Sequence, residues 1–115
     1  MTEQQHLDHE ALAELRDVME DEFSILINTF LQDAQERLRK LSEAADGSDP
    51  ASLRNIAHSF KGSCINIGAP ALADCCFAAE QAGREGDLSD SGHHIAAIEA
   101  ELGAVREELK RYIAE

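Results

Sequence analysis

The residues best suited to chemistry lie in one short run, Ala57 to Ala69, AHSFKGSCINIGA. His58 offers an imidazole, a side chain whose neutral form is a nucleophile. Lys61 follows it by three residues, one helical turn, so its ammonium can approach negative charge developing on a group held by the imidazole. Gly62 comes next. A glycine inside a helix costs about 1 kcal/mol relative to alanine, so this one calls for a reason, and close approach of a partner's backbone supplies it. Together they suit an exposed carrier of a phosphoryl group, with imidazole as acceptor and lysine as counter-charge.

The pattern around this run is helical. Leu53, Ile56, Ala57, Phe60, Cys64 and Ile67 fall on one stripe at about 100° per residue, and His58 points roughly 140° away from it. Arg54, Lys61, Gly62 and Ile65 share the His58 quadrant, which should face solvent. Asp49-Pro50 marks the start of this helix and Gly68 its end.

Four more helices are expected. A short one near 8–18 starts at an Asp8 cap, carries Leu7, Ala11, Leu15 and Val18 on one face, and should pack across the end of the bundle. A long one over about 20–45 carries Phe23, Leu26, Ile27, Phe30, Ala34, Leu38 and Leu41. A third over about 70–85 carries Leu72, Cys75, Cys76, Ala79 and Gly83. The last, about 92–114, carries Ile95, Ile98, Leu102, Val105, Leu109 and Ile113. With helix three at about 49–67 and short loops throughout, the expected fold is all-α: an up-down antiparallel four-helix bundle with an additional short N-terminal helix. The 115 residues suffice for one domain.

Composition narrows the function. A formal net charge of −13 repels nucleic-acid backbones and anionic lipid, so neither nucleic acid nor membrane is an expected partner. The acidic surface should keep the chain soluble and monomeric. No apolar run approaches the roughly 20 residues of a membrane span, and MTEQQHLDHE lacks the regions of a signal peptide, so a cytoplasmic location is expected. Cys64, Cys75 and Cys76 read as reduced thiols on core stripes. His6, His9, His93 and His94 lack the spacing of a helical metal site and read as surface residues, so no metal is expected.

The run quoted above resembles the signature H-x-x-K-G-S-x-x-x-x-G-A of the histidine phosphotransfer (HPt) family. The upstream FLQDAQERLRKL and the downstream LADCCFAAEQAGREGD are similar to the flanking helices of stand-alone bacterial HPt proteins. The resemblance implies that His58 is phosphorylated, that Lys61 stabilises the phosphoryl group, that Gly62 allows docking, that Ser63 matches the small polar residue after that glycine, and that Gly68 ends the helix. It also implies receiver domains of hybrid sensor kinases and of response regulators as partners, docked on helices two to four. Mg²⁺ then comes with the receiver, and the chain needs no cofactor of its own. Phe60 and Cys64 depart from the usual Leu and Ser, both on the buried stripe.

Ile25 and Phe77 point away from their own stripes and could join Ile65, Arg54, Gly62 and Ser63 in docking. No nucleotide-binding loop is present, so a phosphocarrier without its own ATP site is expected rather than an enzyme. Two alternatives have distinct requirements. A metal or redox protein would need His58 to converge with the three cysteines, although His58 and Cys64 fall on opposite helix faces. A helical adaptor that binds a regulator without taking phosphate would not need His58 and Lys61.

Overall fold

The computed structural model describes residues 5–113. Five helices follow in order: α1 (His9–Met19), α2 (Glu22–Asp46), α3 (Pro50–Ile67), α4 (Pro70–Glu85) and α5 (Ser91–Ile113). No strand occurs among the described residues. The expected end of the last helix at residue 114 lies outside them.

Each boundary has a local cause. Asp8 and Asp49 cap α1 and α3, their carboxylates accepting from the amides of Ala11 and Ser52, both at 3.1 Å. Gly68 and Gly86 end α3 and α4 in the left-handed region, with φ of 80° and 73°. That conformation lets the amides of Ala69 and Asp87 reach back to the carbonyls of Cys64 and Ala82. Glu20, with φ 51°, separates α1 from α2, so α2 starts two residues later than the periodicity suggests.

α2 to α5 form the expected antiparallel bundle, each packing on the next and α5 closing against α2. Phe23, Ile27, Phe30 and Leu41 of α2 meet Leu53 and Phe60 of α3, Leu72 and Cys76 of α4, and Ile98, Leu102 and Leu109 of α5 in one continuous core. Fully burying a side chain of this kind contributes about 1.5–3 kcal/mol.

α1 departs from its expected stripe. Leu7 and Leu12 are fully buried, whereas Ala11 is exposed and Val18 is 82% exposed. Leu7 precedes the helix, so it does not set the register of the face that follows. The segment does lie across the end of the bundle. Asp8 donates its amide to the Gly68 carbonyl at 2.7 Å, and His6 and His9 reach Glu101, Glu108 and Tyr112 on α5. These two histidines are exposed, as expected, but they also fasten the N-terminal segment.

Candidate functional site

α3 and α4 make the closest pairing in the bundle, and small residues explain why. Ala57 and Cys64 on α3 face Ala73, Cys76, Ala79 and Gly83 on α4, all buried. At Gly83 the approach reaches backbone: a Cβ there would stand 2.7 Å from the Arg54 amide nitrogen and from the Pro50 carbonyl oxygen. Only a residue without a side chain fits. This contact brings the exposed edge of α3 within reach of polar side chains on α4.

The result is a four-residue cluster centred on Glu80, which sits on the buried stripe of α4 and is only 1% exposed. Its Oε2 lies 3.0 Å from His58 Nδ1 and 3.1 Å from an Arg84 guanidinium nitrogen. Its Oε1 lies 2.8 Å from Lys61 Nζ. The Lys61 contact is an ion pair. Arg84 also donates to Gln81, and the Lys61 ammonium stands 4.9 Å from the centre of the Phe77 ring. Uncompensated, a buried carboxylate costs several kcal/mol. Here two neighbours hold it charged: the Lys61 ammonium first, against burial, and then His58 keep its pKa below the usual glutamate value.

An ionised carboxylate can only accept, so His58 Nδ1 must carry the proton in its bond to Glu80. In neutral imidazole the lone pair then belongs to Nε2. The His58 side chain is 68% exposed, so α3 offers a ring fixed at one nitrogen and open at the other. This is the arrangement an exposed nucleophile requires.

The other expected site residues are spread over the same region with different surroundings. Gly62 is exposed and a Cβ there would meet nothing within 4 Å. It is therefore not a packing glycine, and the space over it is open to a partner. Ile65 is 62% and Phe77 42% exposed, flanking Lys61 along α3 and across it on α4. Ile25 is 64% exposed on α2. Arg54 is exposed one turn before His58, with its backbone against Gly83. Ser63 faces the other way, towards α2, where its hydroxyl accepts from Arg37 at 2.6 Å. It lines a groove of about 190 Å³ together with Thr29, Asp33 and Asn66. Gly68 ends α3 as expected.

Glu80 is the residue of this cluster that sequence reasoning missed. The signal was present: a carboxylate four residues after Cys76 and three before Gly83 falls on a stripe that otherwise has no charge. Arg84 was missed with it, because its part depends on that carboxylate.

The cysteines do not converge on His58. Cys64 and Cys76 are fully buried, and the neighbouring Cys64 thiol together with burial pushes the Cys76 thiol far up. Cys75 is half-buried. Among the described residues, no group of three or more His, Cys, Asp or Glu is arranged to hold a metal.

The sequence model of the Hpt domain family matches residues 25–108. The chain belongs to the Hpt domain family. The match spans α2 to α5 nearly end to end and leaves out α1. The structure of histidine-containing phosphotransfer protein B (HptB) from Pseudomonas aeruginosa PAO1 superimposes with a TM-score of 0.91. It is 42% identical in sequence, with 96% of each chain covered. Likeness over 96% of the chain includes α1, so that helix is not peculiar to this protein. A search of curated protein sequences returned no match. Membership in the Hpt family places the chain in two-component phosphorelay signalling. No helix among the described residues is long and apolar enough to cross a membrane.

Proposed function

We propose that this Hpt protein is a phosphocarrier whose His58 Nε2 takes a phosphoryl group from the aspartyl phosphate of a hybrid kinase's receiver domain. It then passes the group to the receiver aspartate of a response regulator. The observation that carries this reading is the His58 ring, open to solvent at Nε2 and held at Nδ1 by buried Glu80. Lys61, paired with Glu80 and one turn from His58, can turn towards phosphoryl oxygens. The open space over Gly62 lets a receiver's backbone come close.

In a loose in-line transfer, positioning and charge supply most of the rate. The receiver brings the aspartate and the Mg²⁺; this chain brings the nucleophile, the fixed tautomer and one mobile ammonium. The protein then has no ATP site and no cofactor, and works as a cytoplasmic monomer. The retained His58–Lys61 pair disfavours the adaptor reading, and the separation of His58 from the buried thiols disfavours the metal or redox reading.

The test is incubation with a phosphorylated receiver and Mg²⁺, followed by assay for acid-labile, base-stable phosphate. Label on the wild type and none on His58→Ala supports the carrier. Label on His58→Ala, or none on the wild type from several receivers, rejects it; the second result would favour the adaptor.

A further inference from the structure

We infer that Phe77 is a positioning residue: its ring forms an aromatic seat that keeps the Lys61 ammonium beside His58, poised for the phosphoryl group. The inference rests on the phosphocarrier reading and adds to it a residue of α4 that acts through Lys61.

A lysine on a helix surface is a poorly fixed charge, because its long stem has many rotamers to lose. Lys61 is nevertheless only 22% exposed. Two groups of α4 hold it: Glu80 Oε1 lies 2.8 Å from Nζ, and the centre of the Phe77 ring lies 4.9 Å from it. Phe77 and Glu80 are three residues apart, so they are neighbours on one helix surface. The negative face of an aromatic ring attracts a cation within roughly 6 Å. Of the four phenylalanines, Phe23, Phe30 and Phe60 are in the core, whereas Phe77 is 42% exposed. The one phenylalanine left at the surface is the one that meets the lysine.

A ring suits this place better than a second carboxylate would. It carries no net charge, so it leaves the positive charge of Lys61 available to an incoming anion. In the transfer, the N–P bond forms at Nε2 while the aspartate P–O bond breaks and its electron pair goes to the aspartate carboxylate; the return step reverses both. Lys61 must meet the charge on the phosphoryl oxygens as this happens, which means turning away from Oε1. Attraction to a ring face has little directionality, so the ring keeps its hold while the ammonium turns within reach. A receiver docked over this edge also excludes water from Phe77 and Lys61, and a desolvated cation–π contact is stronger than an exposed one. The seat therefore tightens when the complex forms. Ile25 and Ile65, exposed as well, have no ring and hold no cation in this way.

The experiment uses the full chain as wild type, Phe77→Leu, Phe77→Tyr, Lys61→Ala and the double variant Phe77→Leu with Lys61→Ala. Each is labelled from a receiver domain charged with acetyl phosphate and Mg²⁺, at rising receiver concentration, to separate the saturating rate from the half-saturating concentration. Phe77→Leu should lower the saturating rate about two- to fivefold, the equivalent of one partly exposed cation–π contact. Phe77→Tyr keeps the ring and should restore the wild-type rate. In the Lys61→Ala background, Phe77→Leu should leave the saturating rate unchanged. A Phe77→Leu effect on the half-saturating concentration alone, or equal slowing with and without Lys61, would overturn the inference and leave Phe77 a docking residue, with the carrier reading intact. No label on the wild type from several receivers would overturn both. A second measurement needs no variant to fold: in the NMR spectrum of the wild type, the Lys61 Hε protons should be shifted upfield by the ring current of Phe77. An ordinary lysine shift there would refute the seat.

Discussion

Replacing Gly83 by alanine sets a methyl group against backbone that cannot yield. Its Cβ would lie 2.7 Å from both the Arg54 nitrogen and the Pro50 oxygen, about 0.7 Å short of ordinary contact. No rotamer relieves this, so α4 must retreat from α3. A gap of 0.5–1 Å forfeits about a quarter to a half of the dispersion attraction across the surfaces it opens. Overpacking of this kind costs about 1–3 kcal/mol, and the backbone contact argues for the upper end. The better helix propensity of alanine returns about 1 kcal/mol. The net expectation is destabilisation by about 2 kcal/mol, a fall in Tm of about 8 °C for a chain of this size.

Gly62→Ala is the control: it gains the same propensity, meets nothing within 4 Å, and should melt about 2–4 °C higher than wild type. Thermal and urea unfolding followed by circular dichroism measures both. A Gly83→Ala protein as stable as wild type would refute the close packing of α3 on α4, and with it the reason His58 reaches Glu80.

Lys61→Ala should slow phosphoryl transfer and also cost about 1–3 kcal/mol in urea unfolding, because Oε1 of buried Glu80 is left without a partner; an unchanged stability would deny the ion pair. The pKa of His6 is raised by its hydrogen bond to Glu101, then by the charges of Glu101 and Glu108. Its stabilising effect is therefore full below the ordinary histidine range and is lost as pH rises through the raised folded value. The stability difference between wild type and Glu101→Gln should accordingly be largest below the ordinary histidine range and shrink as pH rises through and above it, and a constant difference would contradict this. Native-state thiol labelling should modify Cys75 first and reach Cys64 and Cys76 only on unfolding, since both are fully buried; rapid loss of all three thiols would show that the core opens.

The bundle was legible because each stop is local. Asp49-Pro50, Gly68 and Gly86-Asp87 punctuate helices whose apolar residues repeat at helical spacing. α1 was less so: with Leu7 outside the helix and only Leu12 fully buried within it, periodicity has too few turns to fix a face. The exposure of His58 followed from the wheel of α3 alone, as did that of Gly62 and Ile65. Ser63 and Glu80 show what one helix cannot reveal. Ser63 stands next to Gly62 in the chain, yet its partner Arg37 comes from α2. Glu80 is 22 residues from His58, and the two meet only because Gly83 lets α4 lie against the backbone of α3. The chemistry of a lone buried carboxylate depends on that tertiary contact.

Phosphoryl transfer to the wild-type chain, with the modified atom located, tests the central claim most directly. The protein is labelled from a phosphorylated receiver with Mg²⁺, and the phosphorylated residue is identified by mass spectrometry and the ring nitrogen by ³¹P–¹⁵N coupling. The structure predicts a single phosphoryl group on His58 Nε2. Phosphate on Nδ1, on another histidine, or on no residue at all would contradict it.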